Sequence, residues 1–286
     1  MKKNKGIIVI LIVTLFLSVV PKQYVAAETN NLDSEGTAMF YSVNPLYEEV
    51  IDQSYLEQFP AVMAATVSRS SEYLSESAAS DYIRDQMELR NTNIQLNVVS
   101  GIYPTDDELR LFVENVFRGA LVHTGVPTEG DYLHWQYAGY RCSISFYNQG
   151  DVGYYSLTYM VPYYTSAEQE AVVDSAVEEL LTELDLAGKT DYEKIRSIYD
   201  YICANVEYDY LALENPGQDL LAYTAYGALI ENSCVCQGYA NLLYRLVLEV
   251  GVDARLIAGT SDGQRHAWNI VELGKWYYNL DSTWDA

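Results

Sequence analysis

Residues 231–286 read ENSCVCQGYANLLYRLVLEVGVDARLIAGTSDGQRHAWNIVELGKWYYNLDSTWDA. Three residues of this stretch carry reactive groups in chain order: Cys236 has a thiol, His266 an imidazole and Asp281 a carboxylate. A nucleophile, a base and a group that orients the base are the set that acyl transfer from an amide requires. The stretch therefore indicates acyl-transfer chemistry, and the spacing of the three residues indicates which helix and strands carry them.

The segment after the cysteine has the pattern of an amphipathic helix. Gly251 follows the last apolar position, where a glycine commonly ends a helix. Cys236 therefore opens the predicted helix, where unpaired N–H groups and the positive end of the helix dipole favour a thiolate over a thiol. The apolar positions that recur at helical intervals are Tyr239, Leu243, Leu246, Val247 and Val250.

Three strands are predicted after the helix, and the last two form a hairpin. The short turn Gly274-Lys275 joins those two strands, so that His266 begins one and Asp281 lies near the end of the other. The two residues are at different distances from the turn, so the register or a bulge must make up the difference before their side chains meet. The aspartate would then accept the imidazole N–H and fix the tautomer that faces the sulfur. The predicted strands are residues 254–258, 266–273 and 276–284, with a polar turn over residues 259–264.

Four blocks of this sequence resemble, in the same order, the transglutaminase-like superfamily of papain-type thiol enzymes. They are DYEKIRSIYDYICANVEYDY, YTAYGALIENSCVCQGYANLLYRLVLEVGVDARLIAG, RHAWN and LDSTWD, and together they cover roughly residues 189–286. The resemblance implies an α+β fold with a papain-like core, in which a helix bearing the cysteine packs on an antiparallel sheet bearing the histidine and the aspartate. It also implies that Cys236 is the nucleophile, His266 the base and Asp281 the third member of a catalytic triad.

Two features depart from the family pattern. The chain stops at Ala286, five residues after Asp281, whereas bacterial relatives commonly continue with a further segment. Residues 189–286 are therefore expected to be a catalytic domain that is truncated at its C-terminal end. A second cysteine, Cys234, forms a C-x-C pair with Cys236, and we choose Cys236 as the nucleophile because QGYA follows it, as in the family motif.

The first 27 residues have the composition of a secretory signal peptide. Three of the first five residues are lysine, an apolar run extends from Ile7 to Val20, and small residues end the segment at Val25-Ala26-Ala27. The apolar run of about 14 residues is shorter than the roughly 20 that a membrane span needs. The sequence therefore predicts a secreted protein, extracellular or associated with the cell wall, without a membrane span after cleavage.

The net negative charge of the chain indicates which kinds of macromolecule are disfavoured as partners. The chain has 17 Lys and Arg against 40 Asp and Glu, a formal charge of −23. Removal of residues 1–27 would take away four lysines and no acidic residue, leaving a formal charge of −27. Such a charge argues against nucleic acid and anionic membrane surfaces as partners, because repulsion would oppose the encounter. A protein or peptide substrate is the expected partner.

Two regions are predicted between the signal peptide and the catalytic domain. Residues 28–93 form a polar segment with a helix over residues 75–90, and residues 94–188 form a small α+β domain of alternating strands and helices. Capping boxes begin two of these helices, Thr105 with Glu108 and Ser166 with Gln169. The predicted inward faces are Leu109, Phe112, Val113 and Val116 for the first helix, and Val172, Ala176, Val177, Leu180, Leu181 and Leu184 for the second.

No cofactor and no metal are predicted. The sequence has no glycine-rich phosphate loop, no dinucleotide fingerprint and no calcium loop. A zinc site from Cys234, Cys236 and His266 is a weaker alternative, because a second ligand pair with finger-like spacing is missing. Three interpretations of Cys234 stay open: a disulfide partner, a spare thiol near the site, or a packing residue.

The predicted function is that of a secreted thiol acyltransferase or hydrolase, which attacks amide groups of protein or peptide substrates through a cysteine thioester. Two other classes stay open: a cysteine peptidase acting on cell-wall or extracellular peptides, and a non-catalytic wall-associated module that retains the fold. Tyr226, Tyr239 and Trp268 are candidates for lining the substrate cleft, and plain packing is the alternative interpretation for each.

Overall fold

The structure is a computed structural model that describes residues 35–44 and 67–286. The predicted signal peptide, residues 1–27, lies outside these ranges. Across the two described ranges, none of the helices has both the length and the apolar composition needed to cross a membrane.

The first part of the described chain forms a five-stranded sheet with helices packed on one face. Its elements are β1 (Glu35–Val43), β2 (Val67–Leu74), α1 (Glu76–Glu88), β3 (Asn93–Ser100), α2 (Asp106–Ala120), the short α3 (Asp131–His134), β4 (Gly139–Gln149) and β5 (Val152–Met160). The strand order is β1-β4-β5-β3-β2, in which β2 lies parallel to β3 and the other neighbours are antiparallel. Alternate residues of β3 are buried against the helices, as a two-residue period predicts.

Local sequence signals begin the helices of this part where the sequence predicts them. Helix α1 follows Ser75, whose hydroxyl accepts a hydrogen bond from the Ala78 N–H at 3.3 Å. At α2, Thr105 Oγ1 accepts from the Glu108 N–H and the Glu108 carboxylate accepts from the Thr105 N–H, both at 3.2 Å, which confirms the capping box. The predicted inward face of α2 is also confirmed, since all four of its residues are buried: Leu109, Phe112, Val113 and Val116.

The second part of the chain surrounds one buried helix. Its elements are α4 (Ala167–Glu183), α5 (Asp191–Asn205), β6 (Glu207–Tyr208), α6 (Tyr210–Glu214), a 3₁₀ turn (Leu221–Tyr223), α7 (Ala225–Leu229), β7 (Ser233–Cys234), α8 (Cys236–Glu249), β8 (Ala254–Ser261), β9 (Gln264–Leu273) and β10 (Trp276–Leu280). Strands β10, β9 and β8 form an antiparallel sheet in that order, and β6 pairs with β7 in parallel. Helix α8 packs between this three-stranded sheet and helices α5 and α7, so nearly all of its side chains are buried.

Both turns of the three-stranded sheet contain two residues. Trp276 pairs with Leu273 across Gly274-Lys275, which confirms the predicted hairpin. The predicted turn over residues 259–264 was too long, because β8 and β9 continue to Ser261 and Gln264 around Asp262-Gly263, where both φ angles are positive. The last predicted strand was also too long, since β10 ends at Leu280 rather than at residue 284.

The packing divides the chain differently from the predicted boundaries at residues 93 and 188. Strand β1 buries Ala38 and Phe40 in the core of the five-stranded sheet, although the sequence places it in the polar segment. Helix α4 buries Val173 and Val177 in the second core, together with α8. The predicted inward face of α4 was wrong at Val172, which is 45% exposed, because the packed face is turned by one residue toward Val173.

Two side-chain contacts join the two parts of the chain at the start of β8. The Asp131 carboxylate accepts hydrogen bonds from Arg255 Nε at 2.7 Å, from Arg255 Nη2 at 2.8 Å and from the Leu256 N–H at 2.9 Å. His123 Nε2 lies 2.7 Å from Asp253 Oδ1. Because β8 pairs with β9, these contacts also fix the position of the strand that carries the histidine at position 266.

Candidate active site

Cys236 is the first residue of α8, as its sequence context predicts. Val235 precedes it in an extended conformation and provides no side-chain hydrogen bond to the helix terminus. The first N–H groups of a helix have no partner within the helix, so an apolar residue at this position leaves them available to a ligand. The thiol of Cys236 is partly exposed, whereas Gln237 and the following residues of the first turn are buried.

His266 and Asp281 are brought together by the hairpin. His266 Nε2 lies 2.6 Å from Asp281 Oδ2, and the side chains are only 10% and 23% exposed. Leu280 pairs with Asn269, so the residue after Leu280 falls opposite Trp268, and His266 is its diagonal neighbour on the same face. Because β10 ends at Leu280, Asp281 is not held in the strand pairing and can turn toward His266. The contact therefore requires no β-bulge.

The backbone around Asp281 is held by helix α5. The Tyr199 hydroxyl donates to the Asp281 carbonyl at 2.8 Å and lies 2.9 Å from Asp285 Oδ2. The Cys203 thiol contacts the Ser282 carbonyl at 3.5 Å. On the side-chain side, Asp281 Oδ1 accepts from the Thr283 N–H at 3.1 Å, which orients the carboxylate toward the histidine.

The imidazole of His266 also contacts the Cys236 thiol. Burial alone would lower the pKa of His266, but hydrogen bonds with Asp281 and Cys236, together with the charges of both groups, raise it from 6.5 to about 9. Because Nε2 is occupied by the aspartate, Nδ1 is the ring nitrogen that remains for the sulfur. The arrangement thus stabilises an imidazolium next to the sulfur at neutral pH.

Tyr208 is a residue of the site that the sequence does not reveal. It pairs with Cys234 in the short parallel ladder between β6 and β7. Its phenol makes hydrogen bonds with both the backbone N–H and the side chain of Cys236, and its pKa is raised, chiefly by burial and then by the charge of Cys236. A two-residue strand leaves no periodicity in the sequence, so this proximity could be found only in three dimensions.

Residues 178–282 match the model of the transglutaminase-like superfamily. This segment is similar to that superfamily, and it makes up less than half of the chain. Two curated relatives, both named kyphoscoliosis peptidase, are 32% identical over 130 residues in Homo sapiens and 31% identical over 134 residues in Mus musculus. A solved structure described as the crystal structure of a TGase aligns over 70% of this chain and 56% of its own, with 14% identity and a TM-score of 0.38.

The coverage of the curated relatives is partial. The matched regions are 41% and 42% of this chain, but 19% and 20% of the human and mouse proteins. The chain therefore spans about a fifth of the length of the curated relatives it matches. Their name describes those proteins.

The transglutaminase-like segment contains two further thiols, and the pKa of each is raised. Burial raises the pKa of Cys234 well above its usual value, and burial together with Asp285 raises the pKa of Cys203 to about 11. Cys234 is buried against Gly238, where a Cβ atom would lie 2.5 Å from the Cys234 Cβ. All four cysteines are free, so of the three interpretations of Cys234 the structure supports packing.

The three residues predicted to line the cleft have different environments in the structure. The prediction for Tyr239 was wrong, because the ring is 1% exposed and its hydroxyl donates to the Val206 carbonyl at 2.7 Å. Tyr226 packs on the second core, in α7, and stays a prediction as a lining residue. Trp268 stacks near His266 with ring centroids 5.9 Å apart, and its Nε1–H donates to Asn279 at 2.9 Å.

Two further features bear on what the transglutaminase-like segment can bind. The ring centroid of Trp284 is 5.4 Å from that of His266, and Trp284 is 63% exposed. The sequence alone did not indicate this residue as part of the site. Within residues 35–44 and 67–286, no group of three or more His, Cys, Asp or Glu side chains is arranged to hold a metal ion.

Proposed function

We propose that this protein is a thiol enzyme that attacks amide groups of protein or peptide substrates and forms an acyl-thioester on Cys236. The observation that carries the proposal is the position of His266, which contacts the thiol on one side and the Asp281 carboxylate on the other. An imidazole with a pKa of about 9 is mostly protonated at neutral pH, and an imidazolium next to the sulfur would favour the attack on the amide.

The first half of the proposed reaction forms the thioester. The Cys236 thiolate attacks the carbonyl carbon of the amide, and the carbonyl oxygen becomes an oxyanion. His266 then gives its Nδ1 proton to the amide nitrogen, the C–N bond breaks, and ammonia or an amine leaves. Asp281 keeps the ring oriented and stabilises its charge until the proton is transferred.

The second half regenerates the thiol. A primary amine or a water molecule attacks the thioester carbonyl, and His266 takes the proton of the incoming nucleophile. The C–S bond breaks, which gives an amide with the amine or a carboxylic acid with water, and the sulfur leaves as the thiolate beside the imidazolium. A lysine as acceptor would make an isopeptide crosslink, whereas water would give deamidation or peptide hydrolysis.

Two groups are placed to stabilise the oxyanion. The Cys236 N–H lies at the uncapped start of α8, and the Tyr208 hydroxyl lies within hydrogen-bond reach of that N–H and of the sulfur. A carbonyl oxygen that enters between them would receive one hydrogen bond from each donor. This geometry supports Tyr208 as the second oxyanion donor.

The test of the acyl acceptor is a product analysis with a glutamine peptide and a primary amine. Mass spectrometry would show an amine adduct for transfer, a gain of one mass unit for deamidation, or a cleaved main chain for proteolysis. Cys236→Ala should abolish all three products, whereas Cys142→Ala, in the core of the first sheet, should leave them unchanged. Product formation that survives Cys236→Ala would refute the proposal.

A cysteine peptidase is the second candidate, and the name of the curated relatives favours it. It uses the same thiol, imidazole and carboxylate, so only the products distinguish it from a crosslinking enzyme. A non-catalytic module that retains the fold is the third candidate. It predicts no labelling of Cys236 by iodoacetamide at neutral pH, whereas the thiolate pair predicts fast labelling that His266→Ala slows below pH 7.

The composition of residues 1–27 supports the further proposal that the enzyme acts outside the cell. The test is N-terminal sequencing of the protein from the culture medium of an expressing bacterium. A mature chain that begins near Glu28 would support export, and an intact N-terminus found in the cytoplasm would contradict it.

A further inference from the structure

Large aromatic side chains are exposed on both sides of the candidate active site. Trp284 is 63% exposed and lies beside His266, with ring centroids 5.4 Å apart. On the cysteine side, Tyr210 is 68% exposed, and its ring centroid is 4.9 Å from that of Tyr208, whose hydroxyl contacts Cys236. We call Tyr210 and Trp284 the aromatic rim.

The aromatic rim differs from an exposed apolar residue elsewhere on the surface. Its two members belong to elements that are distant in sequence, α6 and the segment after β10, and each lies one ring away from a reactive group. Exposed aromatic rings that are grouped around one site usually mark a contact surface, because each ring can bury a large area against a partner. Through Tyr208 and His266 the two rings adjoin the proposed reacting atoms.

An acidic residue adjoins each member of the aromatic rim in sequence. Asp209 immediately precedes Tyr210, and Asp285 immediately follows Trp284. Burial is the main cause of the raised pKa of the nearby Tyr223, followed by the charges of Cys236, Asp209 and Asp219. Since the whole chain also has a formal charge of −23, a partner with basic residues would be attracted to this cleft and an acidic one repelled.

We propose that the aromatic rim binds a bulky apolar side chain next to the reacting amide, in an extended, positively charged segment of a protein substrate. The proposal rests on the proposed function, because it places the substrate across Cys236. Successive side chains of an extended peptide point to opposite faces, so residues flanking the amide can reach both sides of the cleft. An aromatic neighbour would stack on Trp284 or Tyr210, and a small polar neighbour would not.

The test uses two peptides in which an electrophile replaces the reacting amide, one with phenylalanine and one with serine on both sides of it. The rate at which each alkylates Cys236 is divided by the rate for iodoacetamide on the same protein. This ratio reports recognition of the peptide and is independent of whether water or an amine completes the reaction. We expect the phenylalanine peptide to react about tenfold faster than the serine peptide, as contact with two aromatic rings predicts.

Substitutions in the aromatic rim have matched controls on the β9–β10 hairpin. Trp284→Ala and Tyr210→Ser should each reduce the tenfold preference to about threefold, because each ring contributes about half of it, whereas Trp284→Phe should retain it. Trp276→Ala and Tyr277→Ser change residues of similar exposure, 64% and 58%, and should leave the preference unchanged. These controls adjoin the Gly274-Lys275 turn, about 23 Å from His266 along β9, since a strand rises by about 3.3 Å per residue.

A second comparison tests the preference for a positively charged peptide. In a phenylalanine peptide that also carries a lysine next to the aromatic residues, replacing this lysine by glutamate should slow alkylation at low ionic strength, and added salt should reduce the difference. Equal rates would overturn the preference for a basic segment. An unchanged preference in both rim variants, or an equal loss in the Trp276 and Tyr277 controls, would overturn the aromatic contact. Failure of iodoacetamide to label the parent protein would instead refute the proposed function itself.

Discussion

The replacement of Asp281 by asparagine tests the central contact of the site. The pKa of His266 is raised from 6.5 to about 9 against the opposing effect of burial. A difference of this size corresponds to about 3 kcal/mol in favour of the imidazolium. The carboxylate of Asp281 and the sulfur of Cys236 both contribute, so loss of the carboxylate charge alone should remove about half, or about 1.5 kcal/mol. Asparagine keeps an oxygen that can accept from Nε2, so the ring orientation should be retained.

The assay is a proton NMR titration of the histidine rings, of which the chain has only three. We expect the pKa of His266 near 9 in the parent protein and about one pH unit lower in Asp281→Asn. His134 provides an internal reference, because burial lowers its pKa below 6.5. A His266 ring that titrates near 6.5 in the parent, or that does not respond to Asp281→Asn, would refute the pairing of imidazole and carboxylate.

Four further predictions follow from individual contacts. Tyr208→Phe should lower kcat by about a hundredfold with little change in KM if its hydroxyl stabilises the oxyanion, and an unchanged kcat would exclude that role. Tyr199→Phe should cost about 1 kcal/mol of stability in urea unfolding, and it should also lower the pKa of His266, an effect that a purely structural role would not produce. Gly238→Ala should destabilise the fold by about 2 kcal/mol, because the new Cβ would lie 2.5 Å from the Cys234 Cβ, and normal stability would show that the helix can shift. Because the pKa of His266 rises on folding, its protonation stabilises the native state below about pH 6.5, and this contribution is lost as pH rises through 9. Urea unfolding should therefore show a loss of about 2 kcal/mol over that range, less than the full 3 because Asp281 is partly solvated, and His266→Gln should not show it.

Features that depend on neighbouring residues in sequence could be predicted. The capping box of α2 needs only Thr105 and Glu108, and the hairpin needs only a two-residue turn between two strands, so the structure agrees with both. The start of α8 at Cys236 likewise follows from the helical spacing after it and the residues before it. These local patterns were sufficient to place the histidine and the aspartate on one hairpin.

Features that depend on tertiary packing could not be predicted. The end of β10 at Leu280 is coupled to the hydrogen bond from Tyr199 to the Asp281 carbonyl, and α5 lies about 80 residues earlier in the chain. Tyr239 was misassigned to the cleft because a helical pattern gives the apolar positions but not which of them faces β6 and the Val206 carbonyl. The proximity of Tyr208 to the thiol depends on two short strands, whose pairing leaves no signal in a single sequence.

The nucleophile and its base belong to separate pieces of the fold, the thiol to α8 and the imidazole to β9. A chain in which the hairpin is not docked on the helix therefore has no imidazolium beside the sulfur of Cys236. Under the proposed function, such a chain would be less able to capture its neighbours through this cysteine. The rate at which the sulfur is labelled would then report the fraction of molecules in which the hairpin is docked.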